Sequence, residues 1–195
     1  MIKNIIFDIG NVLLKFDRDY LLSHFYMGEE YELLKEKTFH NWELLDEDAL
    51  SLEEYDKDVL NNLPPHLQSF AMSVLHNWEY YMEYTEGTID LIRELKQKGY
   101  KLYILSNMTR HFINRDYKFP ILKEFDGIVY SAPIKMLKPN AEIYDYILNK
   151  FDLNPEECLF IDDMEKNLVG AARFGIKTFH YKNNTDELRT FILTL

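Results

Sequence analysis

The 195-residue chain has one cysteine, six prolines, seven glycines and a shortage of basic side chains, and each scarcity excludes something. A lone cysteine, Cys158, permits no intramolecular disulfide, so the chain is no disulfide scaffold and reads as a protein of the reducing cytoplasm. Glycine and proline are too few for a collagen or mucin-like stalk. Against 33 acidic residues stand 22 basic ones, a net charge of -11, which leaves no basic face for nucleic acid or anionic lipid. No apolar run is long enough to span a bilayer, and no basic-then-apolar leader precedes the opening Ile-Ile-Phe-Asp. What is present is 47% hydrophobic and 28% charged residues, enough for the core of one soluble domain, or of one domain carrying an insertion. The partner left over is a small molecule, and the chain itself reads as a monomer or weak homodimer.

Short apolar runs recur, each ending in polar residues. Ile2 to Phe7 ends at Asp8 and Gly10, Tyr100 to Leu105 at Ser106 and Asn107, Ile128 to Tyr130 at Ser131, and Cys158 to Ile161 at Asp162 and Asp163. A fifth run, Ile176 to Tyr181, follows a glycine. Amphipathic patterns lie between them: one N-capped by Thr88, one opened by Pro139 and Asn140, and one from Lys166 to Phe174 closed by Gly175. Strands alternating with such helices imply a doubly wound parallel sheet in the α/β class, built from right-handed crossovers. The stretch 18–85 breaks the alternation, being rich in Leu, Glu and Tyr without a strand pattern. It reads as a helical cap inserted into a core of residues 1–17 and 86–195. The aromatics from Trp78 to Tyr84 fall at helical spacing and read as core. The tail after Asn183 reads as a linker and a terminal helix.

In an open parallel sheet, ligands bind beyond the carboxyl ends of the strands. Asp8, Ser106, Asn107, Asp162 and Asp163 all fall there, and Lys138 lies in the loop after the third strand. Singly, each has a structural explanation: a turn, a helix cap, a solvated lysine. Jointly they require four coincidences at four strand ends. Clustered carboxylates repel one another unless a hard cation sits among them, and Mg²⁺ favours few carboxylates and a phosphate oxygen. Ser106 suits the non-bridging oxygens, Lys138 the charge of the transferring group, and a carboxylate beside the phosphorus is an available nucleophile.

These segments, "FDIGNVL", "LYILSN", "KPNAEIY" and "CLFIDDMEKNLVGA", occur in the order and spacing by which the sequence resembles the haloacid dehalogenase-like hydrolases. That resemblance implies a Rossmann-like core with a helical cap after the first motif. It implies Asp8 as nucleophile and metal ligand, the Gly10 carbonyl and Asp163 as further ligands, and Asp162 supporting the metal. Ser106 and Asn107, with Asn11, would hold the phosphoryl group, and Lys138 would fix the nucleophile and the developing charge. The expected activity is Mg²⁺-dependent hydrolysis of a small phosphorylated metabolite through an aspartyl-phosphate.

One residue departs from the pattern. Phosphatases of this family usually carry an acid/base aspartate two residues after the nucleophile, where this chain has Gly10. The sequence is similar to a sugar-phosphate phosphatase subgroup with glycine and asparagine at these positions, which argues that activity is retained. Asp17 and His24 are the candidates for the missing group, while Arg110 reads as a helix-surface residue. Two other functions compete: a metal-free haloacid dehalogenase, which an extra acidic pair disfavours, and a non-catalytic binder of phosphorylated ligands.

Overall fold

A computed structural model describes residues 1–195. Five strands form one sheet: β1 (Asn4–Phe7), β2 (Lys101–Ser106), β3 (Gly127–Tyr130), β4 (Cys158–Asp162) and β5 (Lys177–His180). Every pairing is parallel and the order is β3-β2-β1-β4-β5. The chain thus builds outward from β1 in one direction, then crosses back and builds outward in the other. That reversal beside β1 is where such sheets open a ligand crevice.

The period of two along each strand assigns its side chains to two layers. Ile5 and Phe7 of β1, Leu102 and Ile104 of β2, and Leu159 and Ile161 of β4 join the larger apolar cluster on one face. Ile6, Tyr103, Leu105, Cys158 and Phe160 join a second cluster on the other. Because both faces are covered, the strands read as continuous apolar runs rather than alternating ones.

On the first face lie α6 (Thr88–Gln97), through Leu91, Ile92 and Leu95, and α11 (Thr185–Leu193), through Leu188 and Ile192. Burying one such side chain contributes about 1.5–3 kcal/mol. On the second lie α9 (Ala141–Lys150) and α10 (Glu165–Ala172), through Ile143, Tyr144, Ile147, Leu168 and Ala171. Thr88 is not the cap of α6. Gly87 occupies that position with φ +75°, and the Thr88 hydroxyl donates to the Thr85 carbonyl at 2.6 Å, one turn behind. A side chain at Gly87 would strain that backbone.

Residues between β1 and α6 are helical: α1 (Arg18–Ser23), α2 (Tyr31–Thr38), α3 (Glu43–Asp46), α4 (Leu52–Asn61) and α5 (Pro65–Asn77). Ser51 opens α4 with a reciprocal cap, its hydroxyl accepting from the Glu54 amide while the Glu54 carboxylate accepts from the Ser51 amide. Pro65 opens α5, where the missing amide hydrogen costs nothing. The two chain passages joining these helices to the sheet run side by side. The Lys15 amide donates to the Glu83 carbonyl at 2.8 Å and the Thr85 amide to the Leu13 carbonyl at 3.0 Å. Leu14 and Tyr84 form an antiparallel bridge between them.

Two shorter helices follow the sheet strands, α7 (Arg110–Ile113) after β2 and α8 (Ser131–Ile134) after β3. No helix is long and apolar enough to cross a membrane.

Candidate active site

The register of the sheet fixes who meets whom. Phe7 pairs with Ile104 on one side and Ile161 on the other, so the next residue, Asp8, emerges between the ends of β2 and β4. Asp162 stands at the end of β4 and Ser106, 1% exposed, at the end of β2. The Lys138 ammonium, fully enclosed, lies 2.9 Å from Asp8 Oδ1 and 2.7 Å from Asp162 Oδ2. Carboxylate oxygens of Asp8, Asp162 and Asp163 all lie within 4.8 Å of one another. Residues separated by up to 155 positions thus share one small volume.

Three carboxylates against one ammonium are electrostatically incomplete. Burial, reinforced by Asp162, pushes the Asp8 carboxyl up to about 7 even though Lys138 pulls it down. Burial, with Asp162 adding, raises Asp163 as well, against the pull of its Asn11 hydrogen bond. Burial alone would lower Lys138, but the carboxylates of Asp162 and Asp8 outweigh it and hold the ammonium charged. A second positive charge among these oxygens would relieve the repulsion and favour the ionised form of Asp8. The donor set is all oxygen, which suits a hard divalent cation.

The supporting contacts distinguish residues that the sequence groups together. Asp162 is already satisfied: besides Lys138 it accepts from the Met164 amide at 2.8 Å and from Asn167 Nδ2 at 3.0 Å. Its geometry is that of a holder for Lys138. The Asp163 carboxylate accepts from the Asn11 side chain, Nδ2 to Oδ2 at 3.0 Å. Asn11 is in the left-handed region, φ +54°, with its Oδ1 accepting from the Phe16 amide. Asn107 clasps the backbone of Lys138, donating from Nδ2 to its carbonyl at 3.0 Å and accepting from its amide at 2.8 Å. Asn107 and Asn11 were expected at the phosphoryl group. In this structure their amides hydrogen-bond the Lys138 backbone and the Asp163 carboxylate, and Asn107 also lines the cavity beside Gly10.

The residues expected to replace the absent aspartate sit elsewhere. Asp17 caps α1, its Oδ1 accepting from the Asp19 and Tyr20 amides, and lines an outer opening with Asn11, Lys15 and Asp163. His24 Nδ1 donates to the Tyr20 carbonyl at 2.8 Å, and its ring lies tilted against Tyr81, 4.2 Å between ring centres. Neither lines the cavity beside Gly10. Arg110 pairs with Asp48 at 2.6 Å on the surface, as expected of a helix-surface arginine.

That cavity, roughly 130 Å³, is walled by Gly10, Phe16, Arg18, Trp42, Asp46, Trp78, Met82, Asn107 and Met108. The inserted helices contribute its far wall, and Asp46 is the carboxylate in it. Burial pushes Asp46 up to about 7, with the charge of Asp8 adding and those of Arg18 and Lys138 opposing. Sequence reasoning missed Asp46, which lies in an acidic stretch with no motif, and Arg18, placed over the Phe39 ring. The aromatic run divides: Trp78 is both core and cavity wall, stacked on Phe112, whereas Tyr80 is 64% exposed. Between Trp78 and Tyr80, the Glu79 carboxylate is completely buried and meets His111 at 3.0 Å, Arg115 at 3.1 Å and Lys118 at 3.1 Å. Glu79 thereby ties the end of the inserted helices to the segment after β2.

Comparison with known proteins gives a consistent outcome. A family model described as haloacid dehalogenase-like hydrolase matches residues 5–181. D-ribitol-5-phosphate phosphatase of Bacteroides thetaiotaomicron is 28% identical over 199 residues, covering 95% of each chain. Pyrophosphatase PpaX of Bacillus cereus is 34% identical over 104 residues, 53% of this chain and 48% of that protein. Among solved structures, a HAD family enzyme of B. thetaiotaomicron superposes with a TM-score of 0.77 at 23% identity, covering 97% of this chain and 98% of that one. A HAD-like family hydrolase of Porphyromonas gingivalis does so with 0.74 at 25%, covering 100% and 99%.

Proposed function

The chain belongs to the haloacid dehalogenase-like hydrolases, and from that premise we propose that it is a Mg²⁺-dependent phosphatase of a small phosphorylated metabolite, with a sugar or polyol phosphate as substrate class. The observation that carries the reading is Lys138 bridging Asp8 and Asp162 while Asp163 stands within 4.8 Å of both. Asp8 attacks phosphorus, displacing the substrate alcohol and forming an aspartyl-phosphate. Water then attacks that phosphorus, releasing inorganic phosphate and restoring the Asp8 carboxylate. Lys138, held charged by its two carboxylates, aligns Asp8 and offsets the charge on the transferring oxygens. Ser106 donates to one of those oxygens. Asp8, Asp163 and the Gly10 carbonyl would hold Mg²⁺, with Asp162 acting through Lys138. Bound there, the cation supplies charge neutralisation between nucleophile and phosphoryl group.

The substrate class follows from the relative that hydrolyses D-ribitol 5-phosphate and from a cavity with Trp42, Trp78 and Met82 as apolar walls and Arg18 and Asp46 as polar ones. We take residues 1–17 and 86–195 as catalytic core and 18–85 as the cap that closes over it. We take the setting as cytoplasmic and the chain as a monomer or weak homodimer; its one cysteine, Cys158, is buried and forms no disulfide. The dehalogenase reading suffers from the third carboxylate, which would repel a carboxylate substrate.

A phosphate-release assay tests the proposal. Aryl and polyol phosphates should be hydrolysed with Mg²⁺ and not after chelation, and Asp8→Asn should abolish release. Halide release without metal would establish the competing chemistry instead.

A further inference from the structure

We propose that Asp46, supplied by α3 from the opposite wall of the cavity, is the general acid and base that the first motif lacks at Gly10. The inference rests on the phosphatase reading and adds a residue to it. Gly10 and Asp46 line the same cavity, and a Cβ built on Gly10 would meet nothing within 4 Å. The side of the cleft where an aspartate side chain would project from the first motif is therefore open, and the carboxylate facing that opening comes from the inserted helices. No hydrogen bond occupies the Asp46 carboxylate; only burial and the charges of Asp8, Arg18, Lys138 and Glu43 act on it. Asp17, by contrast, has its carboxylate committed to two backbone amides.

Asp46 is also held in place from outside its own helix. The Ser131 hydroxyl donates to the Asp46 carbonyl, and the same hydroxyl accepts from the Met108 amide at 2.8 Å. The backbone bearing the acid is thereby tied to the β2 and β3 ends that border the reaction. Its proton affinity, brought near neutrality mainly by burial, matches what an acid that becomes a base requires.

The proton balance closes over two steps. As the Asp8 oxygen bonds to phosphorus and the bond to the substrate oxygen breaks, the Asp46 carboxyl gives its proton to the departing alkoxide. In the second step the Asp46 carboxylate takes a proton from water as that water bonds to phosphorus, and the electrons of the broken phosphorus–oxygen bond return to Asp8. Inorganic phosphate leaves with Asp46 protonated for the next turnover.

Turnover of glycerol phosphate and p-nitrophenyl phosphate by wild type, Asp46→Asn, Asp46→Ser and the double variant Gly10→Asp/Asp46→Asn tests this, with folding checked by circular dichroism. Loss of the acid should slow the alkyl substrate by about 10²–10⁴-fold. The aryl substrate, whose leaving group needs no proton, should give a burst of nitrophenolate and then stall. Intact-mass measurement should find phosphate accumulated on Asp8. An aspartate restored at Gly10 should recover a substantial part of both rates. Either of two results overturns the assignment: Asp46 variants within a few-fold of wild type on both substrates, or an equal fall on both with neither burst nor rescue. If wild type releases no phosphate, the phosphatase reading fails instead; if wild type is active and the variants match it, only the role of Asp46 does.

Discussion

The strand ends and the inserted helices both supply charged groups to one cleft, but by different means. At the strand ends, parallel register does the placing: Asp8, Ser106 and Asp162 are neighbours because their strands are. In the inserted helices, Arg18 and Asp46 reach the cavity through side-chain packing across helices that share no register with the sheet, and Glu79, outside the cavity, is placed in the same way against His111. The first arrangement is stiff, since moving one member would disturb a ladder. The second can shift its members one at a time, a difference that matches the proposed division, with substrate choice and proton transfer in the helices and nucleophilic attack in the sheet.

Substitutions sharpen or break this division, and the largest effect belongs to the sheet. If Asp8 is the nucleophile as proposed, Asp8→Asn should lower kcat by at least about 10⁴-fold, roughly 5.5 kcal/mol, because that role has no deputy. Its melting temperature should stay level or rise, since one of three mutually repelling carboxylates becomes neutral. A clear fall in melting temperature would mean that the ion pair with Lys138 holds the strand ends together, and the division of labour would be wrong.

Glu79→Gln should show the opposite profile. It leaves Arg115, Lys118 and His111 without their buried partner, at a cost of about 3–5 kcal/mol in denaturant unfolding, while the fraction that remains folded keeps near-normal kcat. Burial alone would raise the Glu79 carboxyl, but hydrogen bonds from His111, its own backbone and Lys118 hold it below the usual 4.5. A group depressed on folding lends stability that is present above its unfolded pKa and lost as pH falls through the folded one. Wild type should therefore lose stability below about pH 4.5 more steeply than Glu79→Gln; superimposable acid limbs would remove this contact from the account.

Asn107→Ala should cost about 1–3 kcal/mol of transition-state stabilisation, through kcat more than KM, because two hydrogen bonds to the Lys138 backbone disappear. A change confined to KM would return Asn107 to direct substrate contact. Arg110→Ala marks the lower bound. Its solvent-screened pair with Asp48 should leave the denaturant midpoint and the kinetics unchanged, and a clear shift in either would give this contact a structural role.

The sequence made legible whatever the sheet arranges by rule. Five strands, the polar residue after each of four of them, and the partnership of Lys138 with the carboxylates follow from apolar runs that stop abruptly and from the crevice that parallel strands create. It also showed that a carboxylate was missing at Gly10. It did not show what faces Gly10, because Asp46 looks like any acidic residue in a polar helical stretch until α3 is docked. For the same reason Glu79 hid among aromatics, and the hydrogen bonds of Asn107 to the Lys138 backbone and of Asn11 to Asp163 had no signature in the sequence. An amide clasping the backbone of Lys138 and one offered to a phosphate have identical sequence signatures, and only the distances tell them apart.

The paired passages at Leu13–Lys15 and Glu83–Thr85 carry a consequence for the history of such a molecule. The chain leaves the sheet and returns to it at one point, so from the standpoint of the strands everything between Phe16 and Met82 is the loop of a hairpin. Closing a loop becomes only about 0.6 kcal/mol more expensive with each doubling of its length. The sheet is therefore nearly indifferent to the size of what hangs there, and another set of helices could be grafted onto the same two passages without disturbing Asp8. In such a lineage, losing the acid from the first motif is survivable whenever the graft brings one of its own.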